Sequence, residues 1–356
     1  MDKTQKLLED LTNAHGIPGF EEEVTKVMVR HLEAADELTY DKLGSIIARK
    51  KGSADSPRIM IAGHLDEIGF MVKDITDDGY IKFFPLGGWW GHVALAQRVI
   101  IKTAKKDLIG VIGSKPPHIL KDEERKKVME LDDMYIDVGV NAKTDVKKLG
   151  IRPGDAIVPD AQFTVMNDPK MLLNKAFDNR IGVAAAVEVI NKLKGKKHPN
   201  TVYGVGTVQE EVGLRGANTA AWSVDPDIAF VADVSLADDG PGAGKNQAGK
   251  LGTGPSIAVL DGTMIPHRKL RDFVIATAEE AHIPYHLMAI TRGGTDGGRI
   301  HISRAGVPCI YMGVATRYIH SHTSIIHRDD FDNLVKLLLA VIKKLDKKMV
   351  QQLTKR

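Results

Sequence analysis

The order of apolar and polar positions changes rhythm twice along the chain. Residues 21–35, "EEEVTKVMVRHLEAA", place Val24, Val27, Met28 and Leu32 at helical spacing behind acids in the first turn, which predicts an amphipathic helix. "RIMIAGHLDE" (58–67) then reads as an apolar strand that ends in a polar cluster. From about 68 to 166 the runs shorten. "GFMVKDI", "YIKFFPLG", "RVIIKT" and "LIGVIG" alternate with turn residues, interrupted by one charged helical piece, "KDEERKKVMEL". After residue 167 helices and strands alternate again. "DNRIGVAAAVEVINKLK" and "RKLRDFVIATAEEAHI" predict helices, and "TVYGVGTVQ", "IAFVADVS", "PYHLMAI" and "VPCIYMGV" predict strands. A final amphipathic helix is expected over roughly 329–346.

This alternation builds an α/β fold, a β-sheet covered by helices. The simplest organisation is one α/β domain made of residues 1–67 and 167–356, with residues 68–166 inserted as a small all-β domain. The Gly-rich stretch 240–256 contains "GKNQAGKL" (244–251), which nearly fits a phosphate-binding loop. Leu251 stands where a magnesium-binding hydroxyl belongs, and the stretch does not join a strand to a helix. It reads as a surface loop and not as a nucleotide site.

Charge narrows the function. The 49 basic and 46 acidic residues leave a formal charge of +3 with no clustered excess, so nothing points to nucleic acid. The first ten residues are charged and carry no apolar signal core, and no apolar run approaches the ~20 residues that span a bilayer. The expectation is a cytoplasmic protein with no membrane contact. The single cysteine, Cys309, lies in an apolar run and is expected to be a small buried hydrophobe.

The candidate chemistry lies in five clusters that follow apolar segments: "GHLDE" (63–67), "AFDNR" (176–180), "VQEEVG" (208–213), "VADVS" (231–235) and "RYIHSHTSIIH" (317–327). Singly each is weak, because an acid after a strand is commonly a helix cap and an "EE" pair is commonly solvated. Together they recur where ligands bind α/β sheets, beyond the strand carboxyl ends. Histidine, aspartate and glutamate without cysteine suit zinc, cobalt or manganese. A cationic centre would also explain why Glu210 and Glu211 stand side by side despite their repulsion. Of His320, His322 and His327, at most two are expected to be functional and the others polar surface. "RGGTDGG" (292–298) fits either a pocket wall or a tight turn.

"AGHLDEIGFMV", "KAFDNRIG", "VGTVQEEVGLRGA", "FVADVS" and "ATRYIHSH", in this order, resemble the tetrahedral aminopeptidases, dinuclear metallopeptidases related to glutamyl aminopeptidase. The likeness spans essentially the whole chain. It implies a zinc-exopeptidase-like mixed sheet covered on both faces, and an inserted barrel-like domain that pairs subunits. It implies two divalent ions per subunit, zinc or cobalt foremost and manganese after them. His64 and Asp233 would hold one ion, Glu211 and His320 the other, and Asp178 would bridge them. Glu210 would be the general base. Asp66 would accept the second imidazole N–H of His64 and fix the ring. His320 is preferred to His322 because "RYIH" matches the motif, and a cis peptide is implied between Asp178 and Asn179. The implied substrates are peptides with a free N-terminus, the side-chain preference being unspecified. The implied assembly is a homo-oligomer of dimers building a tetrahedral dodecamer, for which the aromatic run Phe83, Phe84, Trp89 and Trp90 offers either core or interface anchors.

Two rival readings stay open on sequence. One is another hydrolase on the same scaffold: a deacylase, a glycanase labelled as an endoglucanase, or a carboxypeptidase whose carboxylate anchor would be Arg292, Arg299 or Arg317. The other is a binding protein without activity, which loss of Glu210 or of a ligand would have signalled.

Overall fold

The computed structural model describes residues 1–243 and 249–355. Residues 244–248 of the phosphate-loop-like stretch lie outside the described residues, and the surface-loop reading of "GKNQAGKL" lies there with them.

Strand Arg58–His64 runs through the centre of the large sheet because both of its faces are apolar. It pairs in parallel with Thr201–Thr207 on one side and with Ile228–Leu236 on the other, and the latter pairs in parallel with Cys309–Arg317. Side chains alternate across a pleated strand. Ile59, Ile61, Phe230, Ala232, Ile310 and Met312 therefore enter one core, against helices that include Lys3–Asn13, Phe177–Lys192 and Arg328–Lys344. Met60, Ala62, Ala229, Val231, Cys309 and Tyr311 enter a second core, closed by helices Arg215–Val224 and Gly297–Ile300. Strands covered on both faces read as continuous apolar runs, as these do. Antiparallel strands, among them Ile46–Lys51 and Met171–Asn174, extend the sheet on both sides and make it mixed.

Helix Phe177–Lys192 lies tight against the sheet. A Cβ on Gly182 would stand 2.0 Å from the Ala232 carbonyl oxygen, and one on Gly63 would stand 2.4 Å from the Gly182 carbonyl carbon. No larger residue fits either position, so the glycines bring the helix start, and Asp178 with it, over the strand that ends at His64. The Asp178–Asn179 peptide is cis, as the resemblance implies.

The second sheet is a closed antiparallel barrel of Gly69–Ile75, Ile81–Leu86, Tyr135–Asp137, Asp107–Gly113, Arg98–Lys102 and Ala156–Pro159. Its own core contains Phe70, Phe83, Ile101, Ile136 and Ile157. The chain is back in the large sheet by Thr164–Val165. The aromatic run divides by the pleat and the turn that follows it. Phe83 is buried and Trp89 stacks on Phe70 at 4.4 Å, whereas Phe84 and Trp90 are 48% and 59% exposed.

Three local differences from the sequence reading have physical causes. "KDEERKKVMEL" is helical only over Asp122–Arg125. Its Val128 stays exposed, and a short helix without a packed face does not sustain itself. The charged N-terminus forms helix Lys3–Asn13, because Leu7, Leu8 and Leu11 are buried and Asp2 caps the Gln5 N–H. A further helix, Lys347–Thr354, follows the final one expected. Cys309 is buried as anticipated, and no helix among the described residues is long and apolar enough to cross a membrane.

Candidate metal centre

His64 is the last residue of its strand, and Asp178 sits in the first turn of the glycine-seated helix. Glu210 and Glu211 follow strand Thr201–Thr207, and His320 follows Cys309–Arg317. Asp233 lies within a strand and not after one. Its strand pairs with Arg58–His64 only as far as Val231, opposite Ala62, and continues past it paired with Cys309–Arg317 alone, Asp233 lying opposite Gly313.

The structure brings these six side chains together. His64 Nε2 stands 3.1 Å from Asp178 Oδ1 and 3.8 Å from Glu210 Oε2. His320 Nε2 stands 3.3 Å from Asp178 Oδ2 and 3.5 Å from Glu211 Oε2. Asp178 therefore turns one oxygen to each imidazole. His64, Glu210 and Asp233 offer ligand atoms all within 4.8 Å of one another, and so do His64, Asp178 and Glu211. Both rings are oriented from behind. His64 Nδ1 faces the Asp66 carbonyl and His320 Nδ1 faces the Gly88 carbonyl, each at 2.9 Å. A carbonyl can only accept, so both Nδ1 atoms carry a proton and both Nε2 atoms point into the cluster.

One expectation needs correction. It is the main-chain carbonyl of Asp66, not its carboxylate, that holds His64; the carboxylate approaches Nδ1 only to 3.6 Å. That carboxylate is already engaged, because its two oxygens accept the backbone N–H groups of Glu210 and Glu211 at 3.0 Å each. The preceding amide, Gln209, donates to Glu21 at 3.1 Å. Three consecutive amides are thus held by two buried carboxylates, fixing a turn in which Gln209 has φ +56°. Sequence reasoning missed Glu21, which looked like one more acid before a helix. Burial and then the Asp66 charge push its pKa up to about 7. It missed Glu67 as well. This buried carboxylate bonds Lys175 at 2.5 Å and Arg180 at 3.2 Å, gripping the chain on both sides of Asp178.

His322 and His327 do not join the cluster. His322 is buried and not a surface residue; it packs beside Trp89, with ring centroids 5.4 Å apart, and burial lowers its pKa to about 4. His327 caps helix Arg328–Lys344 by accepting the Asp329 N–H.

Without a cation the clustered carboxylates resist ionisation. Burial, then the charge of Asp178, pushes Glu211 up to about 8, and burial likewise raises Glu210 and Asp233 far above the carboxylate range. Burial works against a proton on His320 too, yet the hydrogen bond to Asp178 and the Glu211 charge raise it to about 9. Glu211 Oε1 is buried with no hydrogen-bond partner, which is costly unless it meets a positive ligand. The donor set, nitrogen and carboxylate oxygen without thiolate, fits a borderline divalent cation.

The sequence profile of the M42 glutamyl aminopeptidase family matches residues 44–337. The chain belongs to that family. An M42 member is an aminopeptidase, a metal-dependent hydrolase on this scaffold. The chain is 34% identical to the glutamyl aminopeptidase of Lactococcus lactis over 347 residues, covering 96% of this chain and 97% of that one. Among solved structures it resembles a TET aminopeptidase from the marine sediment archaeon Thaumarchaeota archaeon SCGC AB-539-E09. The TM-score is 0.97 at 46% identity, over 99% of this chain and 100% of that one. It also resembles the TET1 peptidase of Pyrococcus horikoshii, described as assembling into a tetrahedron or a large octahedral shell. There the TM-score is 0.86 at 32% identity, over 96% and 100% of the two chains.

The M42 cluster opens into a cavity of about 670 Å³, whose other walls include Leu214, Leu236, Ile290 and Ile319. "RGGTDGG" is a pocket wall: Arg292, Gly293, Gly294 and Thr295 line the cavity, as does Arg299 beyond them. Asp261 secures this wall by accepting the Thr295 N–H and hydroxyl with one oxygen and those of Thr263 with the other.

Proposed function

We propose that this M42 aminopeptidase removes N-terminal residues from peptides with two divalent cations. His64 and Asp233 would hold one, Glu211 and His320 the other, and Asp178 would bridge them. The observation that carries this reading is the Asp178 carboxylate, with one oxygen toward each imidazole and the rest of the ligand set divided around it. Zinc, cobalt and manganese all suit these donors. Ions bound there supply Lewis acidity, bringing the pKa of water from ~15.7 toward 7 and drawing charge from a scissile carbonyl.

The chain's own residues do the rest. Glu210 lines the cavity with its carboxylate 3.8 Å from His64 Nε2, and its backbone is fixed through Asp66. It takes the proton of the attacking water and passes it to the leaving amine, a transfer worth ~10²–10⁴-fold in rate. His64 and His320 stay oriented through their Nδ1–H bonds while their Nε2 atoms serve as ligands. Residues 68–166 would serve as the dimerisation domain, with exposed Phe84 and Trp90 as apolar anchors. The tetrahedron and octahedral shell named for the Pyrococcus horikoshii relative support a homo-oligomer, which in this reading is built of dimers into a dodecamer.

The test is hydrolysis of aminoacyl-nitroanilides and their N-acetylated counterparts after chelation and return of zinc, cobalt or manganese. Turnover restricted to free-amine substrates and dependent on returned metal supports the reading. Equal turnover of the acetylated set would overturn it.

A further inference from the structure

Two neighbours in "RGGTDGG" have different duties. Thr295 lines the cavity and bonds Asp261. Asp296, the next residue, is 1% exposed and lies behind that wall. Its Oδ2 accepts the Thr207 hydroxyl at 2.5 Å. Thr207 ends its strand opposite His64 in the parallel register, so the carboxylate is tied beside the strand end that carries this imidazole. The other oxygen, Oδ1, is buried with no hydrogen-bond partner, and among the described residues no ion pair reaches the group. A buried carboxylate left with one hydroxyl is costly unless positive charge stands near. For the buried Glu67 that charge comes from Lys175 and Arg180. For Asp296 no lysine or arginine among the described residues supplies it.

The electrostatics are one-sided. Burial raises the Asp296 carboxyl to about 6, while the His64 charge favours its ionised form. Burial also raises Glu210 and Asp233, and the Asp296 charge adds to that in both. His64, Glu210 and Asp233 are one of the two groups whose ligand atoms converge within 4.8 Å. Burial aside, Glu211 and His320 answer mainly to Asp178 and to each other. Asp296 therefore acts on the His64 side of the centre. A cation on that side would be drawn by a charge that is not one of its ligands. It would in turn neutralise a carboxylate that the protein itself leaves without a counter-charge.

We propose that Asp296 is a positioning residue of the metal centre, a buried counter-charge tied by Thr207 beside His64 that favours the ion held by His64 and Asp233 over its partner. The inference rests on the two-cation reading of the adjoining cluster. It makes the two sites unequal through a residue that touches neither ion.

The experiment titrates the chelated protein with zinc at pH 8, by calorimetry, in the wild type and in Asp296→Asn. The amide oxygen can still accept the Thr207 hydroxyl, so the variant removes charge and little else. Affinity for one of the two ions should fall about tenfold or more, the lower end for residues behind a metal ligand, while the other ion binds as before. In a Glu211→Gln background, which keeps His64 and Asp233, the same loss should recur. Thermal unfolding of the metal-free proteins gives a readout of opposite sign. Relieved of repulsion from Glu210 and Asp233, metal-free Asp296→Asn should be at least as stable as wild type, whereas a merely structural carboxylate would leave it less stable. A metal-free variant that is destabilised or unfolded would overturn the proposal and leave the two-cation reading standing. So would unchanged affinities, or equal loss at both sites. Wild-type protein that binds fewer than two ions would remove both.

Discussion

The Gly88 carbonyl accepts the Nδ1–H of His320 at 2.9 Å, although 232 residues separate them. Gly88 belongs to the turn that leaves barrel strand Ile81–Leu86, so the inserted barrel sets the angle of a proposed ligand that follows strand Cys309–Arg317 of the other sheet. A Cβ on Gly88 would lie 2.9 Å from that same nitrogen. Gly88→Ala should therefore turn the imidazole, weakening metal affinity at the His320 site by about 10–100-fold, the usual cost of losing a partner behind a ligand. Metal content after dialysis at limiting free metal checks this, and wild-type retention would show that the ring does not need the close approach.

The adjacent glutamates should separate by their losses. Glu210→Gln should keep both ions and lose ~10²–10⁴ in kcat, since it removes a base and leaves the ligands alone. Glu211→Gln should lose metal together with activity. Equal metal loss in the two variants, measured by elemental analysis, would overturn the division of labour.

Asp66 should be intolerant even of its amide. Both carboxylate oxygens accept main-chain N–H groups, and an asparagine would turn its NH₂ toward one of them. A buried N–H left unpaired costs about 1–3 kcal/mol. Asp66→Asn should lower thermal stability accordingly and reduce kcat by misplacing the turn that carries Glu210. Unfolding curves and turnover at saturating metal report the two effects.

Metal uptake should strengthen with pH. In the chelated apoprotein His320 holds a proton up to about pH 9 and Glu211 up to about pH 8, and a cation must displace both. Raised values mean that the protons are bound below those pH values and absent above them. Affinity should therefore rise from pH 6 to 9, with protons released on binding. Calorimetry in buffers of different ionisation enthalpy counts them, and a pH-independent affinity with no proton release contradicts the assignment.

Assembly should depend on the exposed aromatics of the barrel. Phe84→Asp with Trp90→Asp should reduce particle size in light scattering of metal-loaded protein while the barrel, whose core uses Phe83 and Trp89, stays folded. Unchanged particle size would remove these two residues from the interface.

The fold class was legible in the chain's apolar periodicity, which follows directly from the faces that a strand or helix must bury. The sequence also marked the clusters that converge, because acids and histidines that follow apolar segments five times over exceed what helix caps and solvated surface account for. His64, Asp178, Glu210, Glu211 and His320 were legible on that ground with the motif resemblance, and Asp233 was legible although it sits inside its strand. Tertiary structure alone decided which neighbours hold these residues. Whether the Asp66 carboxylate meets the His64 ring or the amides of Glu210 and Glu211 depends on how two strand ends sit side by side. The Glu21 bond to the Gln209 amide spans 188 residues, and the Gly88 bond to His320 joins the segments that follow strands of two separate sheets. The same holds for Arg317, which found Asp239. Local pattern is set by neighbours in the chain, whereas a hydrogen bond between distant residues exists only where packing brings donor and acceptor within about 3 Å.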